Sequence, residues 1–199
     1  MRSIVYKYMR FVYETEPFAE ENGHGFYSID ESLVGHKYEK QFWLIGAINN
    51  ANKDYRIECV FQRDSNTMET FIKKYILLGN TIITVRFSSY NFFEQFGSGY
   101  NHIKHLQGGG DFGLGLQSNS YMESLWSQVK DIIKSSYYSI PQKFIMYFIC
   151  EAEYKIKIKN KSDSDKLKDF FECFKFLSDV KDVDLGKAIF LLIQFRLFI

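Results

Sequence analysis

The sequence predicts an α/β domain that opens on three antiparallel strands, continues with alternating helices and strands, and ends in a helical C-terminal tail. Three observations lead there. Residues 26–34, 42–50 and 55–61 are aromatic or β-branched runs separated by short turn-forming segments. The apolar periodicity then alternates between helix and strand, giving the order β-β-β-α-β-α-β over residues 26–106. Beyond residue 118, three stretches carry apolar residues at helical spacing.

Each element has its own local cause. Residues 35–41 and the Asn49-Asn-Ala-Asn-Lys-Asp54 segment have the turn chemistry of consecutive hairpins, so the first three strands pair in sequence order. Asn66-Thr-Met-Glu69 reads as a capping-box helix start. Met68, Phe71, Ile72, Tyr75 and Ile76 then fall on one helical face, and Gly79 is the expected stop. Residues 81–87 form a β-branched run suited to a buried strand, a short helical stretch follows, and residues 100–106 make a fifth strand. Residues 107–117 hold five glycines and read as a connector, because the Gly-Lys-Ser/Thr ending of a phosphate-cradling loop is absent. Met122, Leu125, Trp126, Val129, Ile132 and Ile133 give the clearest helical stripe. A second helix is expected to start near Pro141 and to carry Phe144, Ile145, Phe148 and Ile149. Ser162-Asp-Ser-Asp165 is a polar break before a third, with Leu167, Phe170, Phe171 and Phe174 on one side.

Composition limits the function classes. The chain has 199 residues, 46% hydrophobic and 25% charged, with 20 Phe, 14 Tyr and 2 Trp, which is ample for a packed core and excludes a disordered protein. Cys59, Cys150 and Cys173 are an odd set without a Cys-x-x-Cys, so neither a secreted disulfide framework nor a structural zinc site is indicated. A reduced, intracellular setting follows. The net charge of +1 predicts no overall nucleic-acid footprint, so any basic surface is local. The longest apolar stretch, Ala188-Ile-Phe-Leu-Leu-Ile193, is far short of the roughly 20 residues that span a bilayer, and no membrane partner is expected. The expected organisation is an N-terminal remnant at 1–22, the α/β domain at 23–160 and the helical tail at 161–199.

Two carboxylates draw attention. Asp30 and Glu31 sit inside an apolar strand and must face opposite ways. A charged Asp in a central strand needs a cation or hydrogen bonds, so Asp30 is either a metal ligand or a strand-end acid. Glu123 lies beside the apolar stripe of its helix, at a half-buried border, where it is either a site residue or an acid favourable to the helix dipole. Asn119, Ser120, Ser127 and Lys130 share its side of the helix. His102 and His105 should point to opposite faces of a strand, which argues against a shared metal. The alternating Lys155, Lys157, Lys159 and Lys161 suit either a phosphate backbone or a solvated face.

These pieces, in order, resemble a family. Gly25-Phe-Tyr-Ser-Ile-Asp-Glu-Ser32 with Gly35 and Lys37, then Phe42-Trp-Leu-Ile-Gly-Ala-Ile48, are similar to the opening of the catalytic domain of Merlin-type DDE transposases and their ISXO-type insertion-sequence relatives. Arg63, Gly79-Asn-Thr-Ile-Ile83, Tyr90, Gly99-Tyr-Asn-His102, Glu123-Ser-Leu-Trp126 with Lys130, and Glu151-Ala-Glu-Tyr-Lys155 follow at the family's approximate spacing. The resemblance spans about residues 23–160. It implies an RNase H-like fold, a mixed sheet flanked by helices, in which three acids hold two divalent cations, Mg²⁺ or Mn²⁺, for in-line displacement at DNA phosphorus. Asp30 matches the first acid and Glu123 the third, as catalytic and metal-binding residues.

The departures matter as much. The family's second acid falls at Val85, which cannot ligate a metal, and the next acid downstream, Glu94, lies beyond the strand. The His-Thr before the third acid is Gln117-Ser118 here, and Asn119 stands four residues before Glu123 instead of three. The N-terminal DNA reader of such transposases has no counterpart in the cysteine-free residues 1–21. The resemblance therefore implies a truncated, transposase-derived chain, inactive, with no metal of its own. Its expected partners are a second copy of the chain and DNA. DNA would be held weakly and without sequence preference by Lys130, Lys134, Lys155, Lys157 and Lys159.

Overall fold

In the computed structural model, the described residues are 10, 18, 24–34, 42–85, 88–94, 99–105, 114–136 and 144–178. A five-stranded sheet runs through the middle: β1 Phe26–Val34, β2 Phe42–Asn49, β3 Tyr55–Val60, β4 Thr81–Val85 and β5 Asn101–His105, in the spatial order β3-β2-β1-β4-β5. β2 is antiparallel to both its neighbours, whereas β1, β4 and β5 pair in parallel. The turn chemistry explains the first three strands. Asn49 Oδ1 accepts from the N–H groups of Ala51 and Asn52, closing the β2–β3 turn, and Lys53 takes the left-handed conformation.

Helix α1 (Ser65–Tyr75) covers one face, placing Met68, Phe71, Ile72 and Tyr75 against Tyr27, Ile29, Ile45, Ala47 and Ile82. Helix α2 (Ser120–Ser136) covers the other, with Met122, Leu125, Trp126, Val129 and Ile133 on Leu44, Ile48 and Ile57. Helix α3 (Ile145–Ile158) lies along β3 and serves both cores, Ile145 and Ile149 on the α2 side, Cys150, Tyr154 and Ile158 on the α1 side. It thereby protects the sheet edge, where the backbone N–H of Cys59 meets Met146 Sδ at 3.3 Å. Helix α4 (Asp163–Ser178) follows, with Leu167 and Phe171 exposed. Short 3₁₀ turns occupy Ser88–Glu94 and Gly115–Gln117.

Several boundaries differ from expectation. Asp64, not Asn66, caps α1, because its carboxylate accepts from the N–H of Thr67 at 2.8 Å and places negative charge at the positive end of the helix. The helix closes at Ile76, whose N–H bonds the carbonyl of Ile72. Gly79 instead makes the left-handed turn into β4. The polar break at Ser162 is itself a helix start, with the N–H of Asp165 donating to Ser162 Oγ. Pro141 and residues 107–113 lie outside the described residues, and the described part of α3 begins at Ile145. No helix among the described residues is long and apolar enough to cross a membrane.

Two residues before residue 24 are described, and both contact the sheet. Phe18 is buried against Tyr27, with ring centroids 5.1 Å apart, and lies under the guanidinium of Arg56. Arg10 pairs with Glu58 at 3.2 Å.

Candidate active site

The side-chain alternation of β1 separates its two acids. Tyr27 and Ile29 belong to the core under α1, so Glu31 faces that side, and Asp30 faces α2. Asp30 stands opposite Gly46 on β2, where the absence of a side chain admits Met122 and Trp126 of α2. Burial pushes the Asp30 carboxyl up to about 6, and the charge of neighbouring Glu31 pushes the same way. The backbone N–H of Glu31 and the nearby Trp126 indole favour the charged form, and Glu123 opposes it. Trp126 Nε1 does not reach hydrogen-bond geometry and is left buried without a partner, so the indole is a weak counterweight to burial.

Glu123 occupies the first turn of α2 and is exposed. The expected half-buried border is thus corrected. The buried positions of α2 are Met122, Leu125, Trp126, Val129 and Ile133, and Glu123 turns away from that stripe into solvent. Its charge is the weakest of the influences on Asp30, while Met122, beside it in the helix, packs at Gly46, the ladder partner of Asp30.

Val85 completes the picture. β4 runs parallel to β1 in the register Phe26–Thr81 to Ile29–Thr84, so Val85 is the residue one step further, level with Asp30 and on the same face. On its other side it pairs with His105. A carboxylate at 85 would adjoin Asp30; a half-buried valine stands there instead. Among the described residues no group of three or more His, Cys, Asp or Glu could hold a metal ion. Two acids and a valine do not fit a two-metal centre.

The histidines divide as alternation requires. His105 is buried on the α2 side, its Nε2 2.8 Å from the carbonyl of Gln117, which fixes the proton on that nitrogen. His102 lies on the α1 side, 2.8 Å from Thr84 Oγ1 and against the ring of Phe93. Asn119, at the start of α2, is fully buried, and neither amide atom has a hydrogen-bond partner.

The lysines fall into two groups. Lys130 and Lys134 are exposed on α2, seven and eleven residues after Glu123 and therefore on its side of the helix. Lys155 pairs with Glu151 at 3.1 Å. Lys157 pairs with Asp54 at 3.3 Å and lies over the ring of Tyr55, while Lys159 is exposed just past the end of α3.

Sequence reasoning missed two polar groupings. Behind Asp30, Glu31 lies in the field of Arg63 and beside buried Tyr90. Burial raises the Glu31 carboxyl, and Arg63, stacked 3.6 Å over Trp43, acts against that. Arg63 and Tyr90 stood in the sequence as isolated motif residues, with nothing to tie them to Glu31. Beside Ser28, Asn50 holds the segment leading into α2, a long-range contact for which the sequence carries no signal.

A family model described as the ISXO2-like transposase domain matches residues 29–157, the span that holds Asp30, Val85 and Glu123. No curated protein matches the sequence significantly. Among solved structures, a chain in the cryo-EM structure of the simian T-cell lymphotropic virus intasome in complex with PP2A regulatory subunit B56 gamma is 14% identical, with a TM-score of 0.50 over 65% of this chain and 47% of that one. The HTLV-2 integrase catalytic core domain in complex with magnesium, in its dimeric form, is 15% identical, with a TM-score of 0.47 over 65% of this chain and 83% of that one. At such identities the likeness to the intasome chain speaks for the fold, and it agrees with the strand order and the single antiparallel strand β2 of an RNase H-like domain.

Proposed function

This chain belongs to the ISXO2-like transposase domain family, and from that premise we propose that it is a transposase-derived protein that no longer cuts or joins DNA. The observation that carries the reading is Val85 beside Asp30. In-line phosphoryl transfer in such domains depends on two hard cations a few ångströms apart, which need a bridging carboxylate to screen their repulsion. Asp30 and Glu123 alone leave that bridge out. On the ordered motifs, we assign the chain to the Merlin-type branch of the family, with Mg²⁺ or Mn²⁺ as the cofactor of its ancestor, and an intracellular place of action, nuclear in a eukaryotic cell.

The test is a cleavage and strand-transfer assay on nicked duplex DNA with the full chain in Mg²⁺ or Mn²⁺. The expected result is no product. Metal-dependent turnover that disappears in Asp30→Ala would overturn the proposal.

A second reading, a platform that binds DNA or protein without chemistry, is favoured by one observation: Lys130 and Lys134 remain exposed on the side of α2 that carries Glu123. Self-association and weak, sequence-independent DNA binding belong to this reading.

A further inference from the structure

We infer that Asn50 and Ser28 are positioning residues that hold the first turn of α2, and with it Glu123, against the strand that carries Asp30. Asn50 sits at the end of β2, fully buried, and its amide nitrogen lies 2.7 Å from the carbonyl of Leu116, 3.0 Å from that of Ser118 and 2.9 Å from Ser28 Oγ. Carbonyl oxygens only accept, so the NH₂ end of the amide is the end facing them. Ser28, two residues before Asp30 and also fully buried, donates from Oγ to the same Ser118 carbonyl at 3.1 Å. Ser118 in turn leads into α2: its Oγ accepts from the N–H of Ser120, and Met122 closes the turn on the carbonyl of Asn119. One amide and one hydroxyl from the sheet thus fix both the Gly115–Gln117 turn and the start of the helix. Removing these donors leaves the two carbonyls unsatisfied inside the fold, which loosens the segment that carries them.

The clamp acts on position, since neither side chain carries charge or faces solvent. The inference rests on reading Asp30 and Glu123 as one site, and its test separates the two ideas. Asn50→Asp keeps the shape and replaces the donors by oxygens facing two carbonyls, and Ser28→Ala is a milder variant that serves if the first does not fold. Amide hydrogen exchange on the full chain is the first readout. Amides of Ser118, Met122, Glu123 and Ser124 should exchange at least tenfold faster in the variant, with those of Ile45 and Ala47 in β2 unchanged. The second readout uses Mn²⁺ on the Val85→Asp chain, where adding Ser28→Ala should weaken binding about tenfold while the metal-free melting temperature shifts little. Unchanged exchange at the start of α2, or acceleration spread evenly over sheet and helix, would overturn the clamp. Absence of any Mn²⁺ gain in Val85→Asp would instead sink the two-acid reading and leave the clamp to the exchange data, which decide it alone.

Discussion

Gly46 and Trp126 compete for one space: a Cβ built on Gly46 would lie 2.9 Å from Cζ2 and Cη2 of the Trp126 ring, and as close to Cε of Met122. Because Gly46 is also the ladder partner of Asp30, this contact sets how near α2 comes to the first acid. Gly46→Ala should therefore lift the helix and cost about 1–3 kcal/mol, as overpacking does in a core. Urea denaturation of the full chain checks it. A variant as stable as the parent would mean that the helix yields without penalty.

Val85→Asp should show two opposite effects. Without metal, a half-buried valine becomes a carboxylate next to Asp30, and stability should fall by about 1–3 kcal/mol. With Mn²⁺, a third oxygen donor gathers the cation and stability should recover. Thermal melts with and without Mn²⁺ measure both halves. If the metal raises the melting temperature no more in the variant than in the parent, the acids do not converge.

Asp30 predicts a pH signature. Its carboxyl titrates near 6 in the fold, against 3.8 for an unperturbed Asp, so the folded chain holds the proton more tightly than the unfolded one. That contribution to stability is complete below about pH 3.8 and is lost as the pH rises through about 6. At about pH 7.5 Asp30→Asn should thus be more stable than the parent, by about 1–2 kcal/mol once partial solvent screening is allowed for, and the difference should close near pH 4. An Asp30→Asn chain that is less stable at about pH 7.5 would contradict this.

The strands and the division of β1 into two faces were legible because alternation is a local property: Ile29, Asp30 and Glu31 reveal it in three residues. The same holds for His102 and His105. What stayed hidden depends on residues far apart in the chain. Asn50 and Ser118 are 68 positions apart, and a lone Asn in a turn carries no mark of its distant acceptors. Glu123 reads as half-buried from its spacing and is exposed in the fold, because spacing tells which residues share a stripe, not how wide a stripe the sheet covers. Asn66-Thr-Met-Glu69 has the pattern of a capping box, yet Asp64, two residues earlier, is the acid that caps the helix. Glu31, Arg63 and Tyr90 were all visible, but only the fold joins them.

Phe18 should matter to stability despite standing in what the sequence suggested was a remnant. It is 3% exposed, wedged between Tyr27 and Arg56. Phe18→Ala removes that contact and opens a cavity beside a buried guanidinium, with an expected cost of about 3 kcal/mol. A guanidinium chloride midpoint that does not move would show that the Phe18 contact adds nothing to stability.

DNA binding offers the sharpest contrast between lysines that the sequence treated alike. Lys157 is engaged with Asp54 and Tyr55, and Lys155 with Glu151, so their charges are already partly neutralised where they stand. Lys130, Lys134 and Lys159 are exposed. Phosphate contacts release counterions and weaken steeply with salt, and they carry no base information. Lys130→Ala with Lys134→Ala should therefore reduce affinity for a duplex several-fold at low salt. Lys157→Ala should leave affinity within about twofold and lower stability by about 1 kcal/mol or less, the usual worth of a partly exposed ion pair. Matched and scrambled duplexes, titrated at low and physiological salt, should bind alike and more weakly at the higher salt. A preference of tenfold, about 1.4 kcal/mol, that persists at physiological salt would show that this chain reads bases. A loss of affinity in Lys157→Ala as large as in the α2 double variant would place the DNA along α3 instead.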